Sequence, residues 1–231
     1  MHGAALALRT VLALAYPFLA HAANAQGAGT LAAVALGDLA VILLLGPLLR
    51  REAWAWATLA ACIAALAWLA RTPHATLPLL APPVVFVGWV AWVFARTLRR
   101  GRVPVITRMA AALHERPVAA LDPALAAYTR ALTGFWATLL FGLCLVNLVL
   151  AVFGAPEGLL ARLGHPTPLP VLDAQGSLFA NLLIHGVVGS AFLLEYAWRR
   201  ARFRDQPYRN LGEFVRKLAA LDPTFWRGLA R

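Results

Sequence analysis

The sequence predicts an all-α, polytopic membrane protein of about six transmembrane helices. Both termini fall on the cytoplasmic side, which also carries an amphipathic connector and an amphipathic tail. Three observations predict this. Hydrophobic residues fill 61% of the 231 positions and charged residues only 13%, against about a quarter charged in a soluble domain. Apolar runs long enough to cross a ~30 Å hydrocarbon layer recur along the chain. Arginines are concentrated in alternate connections between those runs.

The first run, residues 4–22, has Arg9 near its start and the small-residue end Ala20-His21-Ala22. A cleavable secretory signal has the same look. The length of the run and its Tyr16-Pro17 interruption favour an uncleaved first helix. Residues 31–49 form the second span, with Asp38 inside it, and Arg50-Arg51-Glu52 ends it. Residues 53–70 form the third, with Trp54, Trp56 and Trp68 near its ends as an aromatic belt requires. Residues 77–95 form the fourth, and Pro78, Pro82 and Pro83 are expected to kink its outer end. These four helices make an N-terminal part, 1–95.

Residues 96–130 form a basic cytoplasmic connector carrying Arg96, Arg99, Arg100, Arg102, Arg108, Arg116 and Arg130. Val105, Ile106, Met109 and Leu113 share a helical face within it. Asp122-Pro123 supplies an N-cap and a proline at the first position of the next helix. Residues 131–198 hold the fifth span (131–153), a proline-rich outer loop (154–176) and the sixth span (177–198). The tail, 199–231, is basic. Asn210 and Glu213 in it form a capping-box pattern ahead of the stripe Leu211, Phe214, Val215, Leu218 and Leu221. Connector and tail both read as helices lying on an anionic inner leaflet, with a partner-docking surface as the alternative. Of the 21 Lys and Arg residues, this topology leaves only Arg71 and Arg162 outside.

The formal charge of +11 does not point to nucleic acid, because the arginines flank apolar runs instead of lining a folded face. The expected charged partner is the bilayer with its anionic headgroups. Cys62 and Cys144 both sit in apolar runs and read as small hydrophobes. The histidines have no ligand spacing, so neither metal nor cofactor is expected. No acyltransferase HxxxxD pair, GxSxG elbow, HExxH, P-loop or GxGxxG occurs.

Polar groups at membrane depth are costly and tend to face the bundle interior. Here they are Asp38, Asn147, Asn181, His185 and Glu195. Asp38 must find a donor or be protonated. Asn147 projects from a face that suits a bond to another helix, and His185 suits a structural hydrogen bond. Glu195 lies within a turn of Arg199-Arg200 and is expected to pair there. Gly134, Thr138 and Gly142 on the fifth span, with Gly186 and Ser190 on the sixth, have the spacing of close helix packing, so these two spans are expected to be neighbours.

Several pieces taken together carry a resemblance. They are Pro104-Val105-Ile106-Thr107-Arg108-Met109, Tyr128-Thr129-Arg130, Trp136, Asn147, Asn181, Glu195-Tyr196, Arg199-Arg200 and the Phe214, Arg216-Lys217-Leu218 tail. Over roughly residues 100 to 220 the chain resembles the small multi-pass inner-membrane proteins of aryl-polyene and xanthomonadin-type pigment clusters. More distantly it is similar to intracellular septation protein A. Some of the pigment-cluster proteins are labelled ketosynthase, yet this chain lacks the Cys and His pair of such an enzyme. The resemblance implies a non-enzymatic accessory role in the bacterial inner membrane, supporting the assembly, handling or export of a polyene or acyl lipid product. It implies that Arg108, Tyr128, Arg130, Trp136, Arg199 and Arg200 meet a lipid headgroup or an acyl-carrier protein. Two alternatives stand beside it. One is a small transporter or flippase component using Asp38, His185 and Glu195. The other is an intramembrane acyl or glycosyl transferase, or a septation protein A-like envelope factor.

Overall fold

The structure is a computed structural model that describes residues 2–156, 158–167, 174–203, 207–221 and 225, without the side chains of 2–4, 6 and 174–185. Among the described residues there are helices and no strand. In chain order they are α1 (His2–Gln26), α2 (Gly29–Leu49), α3 (Ala53–Leu69), α4 (Ala81–Arg96), α5 (Val105–Leu113), α6 (Pro123–Phe153), α7 (Leu159–Arg162), α8 (Ala174–Arg202) and α9 (Leu211–Ala219). Among the described residues, three segments are long and apolar enough to cross a membrane: Gly29–Leu49, Leu77–Arg96 and Pro123–Phe153. The apolar α3, at 17 residues, rises only about 26 Å. Large apolar side chains face outward on these helices, among them Leu43 (71% exposed), Trp68 (70%) and Phe141 (58%). Such a surface is at home in hydrocarbon, where helices need no apolar stripe of their own.

The chain divides into two compact units, 1–82 with 151–169, and 83–150 with 170–231. In the first, α1 turns into α2 through Gly27, whose φ of +60° suits glycine. The Ala28 N–H reaches back to the Ala23 carbonyl at 3.1 Å and closes the helix end. Ala23, Ala32 and Ala35 are fully buried where the helices meet, and Tyr16, Leu19 and Leu36 pack around them. Small side chains let the two backbones come close, which is how helices pair when lipid supplies no hydrophobic drive. Gly29 is tighter still, since a Cβ there would stand 2.6 Å from the Ala70 carbonyl oxygen. Arg162 of α7 donates to Thr76 and, at 3.2 Å, to Asn24 Oδ1, tying the loop ends of this unit together. The proline-rich start of the fourth span departs from a simple kink. Leu77–Leu80 is a 3₁₀ turn and α proper begins at Ala81, which accommodates Pro82 and Pro83 in the first turn, where their missing N–H groups cost least.

In the second unit, α6 rises about 46 Å over its 31 residues, longer than a bilayer core. Its entry follows the expected cap. The Ala124 N–H donates to Asp122 Oδ1 at 2.8 Å and Pro123 takes the first helical position. The buried residues of α6 are Leu125, Thr129, Thr133 and Ala137, one face of its first half. Against that face lies α5, fastened by hydroxyls. Thr97 donates to the Phe94 carbonyl at the end of α4 and accepts from the Val105 N–H at the start of α5. Thr133 accepts from the Ile106 N–H, and the Thr107 and Thr129 hydroxyls meet at 2.9 Å. All four threonines are buried. The connector helix has apolar residues packed against protein. Val105, Ala111 and Leu113 are buried there, because a folded partner surface offers closer packing than disordered lipid tails.

Candidate functional site

The chemistry-bearing residues that the second unit brings together gather where α6 begins and α8 ends. α8 runs on to Arg202, so Arg199 and Arg200 belong to the helix and not to a loose tail. Glu195 and Arg199 are therefore one turn apart on one helical face. The Arg199 Nε–H donates to Glu195 Oε1 at 2.7 Å, with the two side chains only 12% and 9% exposed. Tyr128 of α6 donates its hydroxyl to the same Oε1 at 2.8 Å. The third part of the guanidinium, an Nη1–H, donates to the Tyr208 hydroxyl.

Aromatic rings close around this pair. The guanidinium carbon of Arg199 stands 5.0 Å from the Phe214 ring centroid, 5.5 Å from Tyr208 and 5.7 Å from Tyr196. Tyr128 in turn packs on Trp198 at 4.9 Å and Phe203 at 5.3 Å. Ring faces attract a cation electrostatically, so the burial of Arg199 is offset by both a carboxylate and π-density. The tail supplies Tyr208 and Phe214 because α9 is firmly started. Asn210 accepts from the Glu213 N–H at 2.8 Å, and Glu213 accepts from the Arg209 N–H at 2.8 Å. The expected capping box is shifted by one residue, since the glutamate returns to Arg209 and not to the cap itself. The Arg209 N–H holds the Glu213 carboxyl below the usual carboxylate range, with help from Lys217, Arg216 and Arg209 charges.

Beside the pair lies a cavity of 290 Å³. Ile106, Met109 and Leu113 of α5, Leu132 and Trp136 of α6, and Phe192 of α8 make most of its wall. Its polar edge is the Glu195–Arg199 pair with Tyr208, Thr129 and His114. A second, more open groove runs along the outside between α6 and α8, past Tyr128, Phe135, Leu194 and Trp198. Leu132 and Glu195 line both hollows.

The other residues singled out in the sequence are dispersed. Arg130 is exposed and donates to the Leu98 carbonyl at 2.9 Å. Arg200 is exposed and donates to the Tyr196 hydroxyl at 3.3 Å. Arg108 is half-buried on α5. Asn147 bonds within its own helix among the described residues. Its Nδ2 donates to the Leu143 carbonyl at 2.9 Å, the nearest acceptor when surroundings are apolar. Asp38, on α2 in the first unit, has a buried Oδ2 that accepts no hydrogen bond among the described residues. The side chains of Asn181 and His185 lie outside the described residues. α6 and α8 are neighbours as expected, and among the described residues their contacts are made by large side chains. A Cβ on Gly142, Gly186 or Gly189 would meet nothing within 4 Å, and the helices touch through Tyr128, Glu195 and Trp198. Where small residues do matter is Gly88 of α4, whose Cβ would stand 3.1 Å from Cys144 Sγ on α6.

The threonine contacts, Tyr208 and the cavity itself were not read from the sequence. One signal was available, since Leu125, Thr129, Thr133 and Ala137 repeat every four residues, marking one face.

Chemically, the cluster is a neutral, satisfied unit. Glu195 Oε1 receives two donors and each of the three Arg199 nitrogens has a partner, so the two charges are compensated within the cluster. Among the described residues no three of His, Cys, Asp and Glu stand together as metal ligands would. No family model matches this chain, and neither the curated proteins nor the solved structures provide a match to it.

Proposed function

We propose that this chain is an accessory protein of the bacterial cytoplasmic membrane that helps handle a polyene or acyl-lipid product at the cytoplasmic face, without catalysing a reaction. About six helices cross the bilayer in this proposal, with both termini inside and the connector and tail facing the cytoplasm. One observation carries it. The basic connector and the basic tail fold together onto the start of α6 and the end of α8, making a built platform with Arg99, Arg100, Arg102, Arg130 and Arg200 exposed. Exposed guanidinium groups beside apolar helices suit phosphate headgroups, and equally an acidic acyl-carrier protein. Tyr128, Trp136 and Arg199 lie further in and serve the platform by holding its parts together. An Arg130→Ala/Arg200→Ala double variant is expected to insert normally while product accumulation falls at least tenfold. Undiminished product from a well-expressed double variant overturns the proposal.

A second role, as a small transporter or flippase component, is favoured by Asp38. A carboxyl oxygen buried without a donor inside an apolar helix is costly, and proton-coupled movement is one reason for such a cost. In reconstituted vesicles, Asp38→Asn is expected to abolish pH-dependent lipid movement. Movement at the wild-type rate would rule this role out.

A further inference from the structure

The cavity between α5, α6, α8 and α9 lies beneath the exposed arginines and shares Trp136 and Arg199 with the platform's interior. We propose that it is a binding site for the end of one uncharged hydrocarbon chain. Its wall suits such a guest. Ile106, Met109, Leu132, Trp136 and Phe192 are apolar apart from the Trp136 N–H. The unbranched Met109 thioether adapts its shape to a flexible chain.

Its polar edge disfavours charged guests. The Glu195–Arg199 pair on the wall is internally neutral, and each Arg199 nitrogen already donates to Glu195 or Tyr208. A charged end would have to compete with those contacts, so it stays outside, on the exposed arginines, while an apolar end enters.

Size and position agree with this. The 290 Å³ sits at the small end of ligand cavities. A cavity of that size suits one chain end better than a whole two-tailed lipid. Leu132 and Glu195 line both this cavity and the outer groove, so one layer of side chains separates the cavity from the surface that faces hydrocarbon. The source of the chain is either a bilayer phospholipid or a free acyl chain. The inference rests on the proposed lipid-handling role, but it is read out by contact and not by product.

The test uses full-length protein in nanodiscs of phosphatidylethanolamine and phosphatidylglycerol. Two photoactivatable probes are compared, a free fatty acid and a phosphatidylglycerol, each with a diazirine near the chain end. Cross-linked peptides are mapped by mass spectrometry. Labelling of Met109, Leu113 or Phe214 by either probe, saturable and reduced at least fivefold by excess 1-decanol, is the expected result. The probe that labels identifies the source. Ala110→Trp, which fills the cavity from α5, is expected to cut that labelling at least tenfold while leaving labels on Phe135 and Leu194 unchanged. Leu132→Phe is the second variant, should the first not fold. Labels confined to Phe135 and Leu194, or cavity labels indifferent to both variants and to 1-decanol, overturn the proposal. Cavity labelling that survives alongside undiminished product in the Arg130/Arg200 variant would instead sink only the functional proposal.

Discussion

At the scale of single residues, the Glu195–Arg199 pair shows how a charge survives beside apolar helices. Neither side chain is more than 12% exposed, and removing one partner strands the other. Glu195→Ala is expected to cost about 3 kcal/mol, measured as thermal stability in detergent. The Glu195→Ala/Arg199→Ala double variant is expected to cost less than the sum of the singles by at least about 1 kcal/mol. Additive losses would mean the pair is not coupled. Glu213 makes a milder, exposed contribution that depends on pH. Its folded carboxyl titrates lower than in the unfolded chain, first because it accepts the Arg209 N–H. Its stabilisation of α9 is therefore complete above the unfolded value of about 4.3 and fades as pH falls through the lower folded value. Protection factors of the α9 amides, taken relative to the intrinsic exchange rate at each pH, are expected to fall across that window in the wild type. In Glu213→Gln the protection factors should show no such step.

Elements meet in two different ways. In the first unit, α1 and α2 pair through alanines that leave no space, and Gly29 touches the chain beyond α3. Gly29→Ala forces a Cβ to within 2.6 Å of a backbone oxygen. It is expected to cost about 1–3 kcal/mol, as overpacking does. Gly37→Ala on the same helix, whose nearest neighbour would be the Leu66 Cδ1 at 3.8 Å, is the control and should be neutral or slightly stabilising. Equal melting temperatures for the two variants would contradict the close approach. In the second unit, hydroxyls do the joining. Thr97, Thr107, Thr129 and Thr133 rivet the connector helix to α4 and α6, satisfying backbone groups that burial would otherwise leave unpaired. The connector is thus part of the fold and not a ribbon floating on lipid.

For the whole molecule, the distribution of arginine remains the governing fact. The proposed topology predicts that a reporter fused in the Gly101 turn is active only in the cytoplasm, and one fused at Gly164 only outside. The reverse pattern would remove the cytoplasmic platform and the proposed partners with it. The membrane-protein character was legible in composition and run length, because crossing hydrocarbon imposes those quantities directly. The Asp122-Pro123 entry and the Asn210 cap were legible too, since capping is decided by residues within one turn. That α6 and α8 are neighbours was legible in their small-residue spacing, but the side chains that make the contact were not, because these depend on how the two helices meet.

What the sequence by itself determined is local or collective: which segments are helical, which are apolar, and where the charge is concentrated. Those properties depend on neighbours a few positions away or on sums over a whole segment. What only the tertiary structure decided is the company each residue keeps. It placed Tyr128 on a glutamate 67 positions away, gave Arg199 a ring of aromatics drawn from the tail, and left a cavity among them. Contacts at such separations are set by how rigid helices pack in three dimensions, and no period in the chain encodes them.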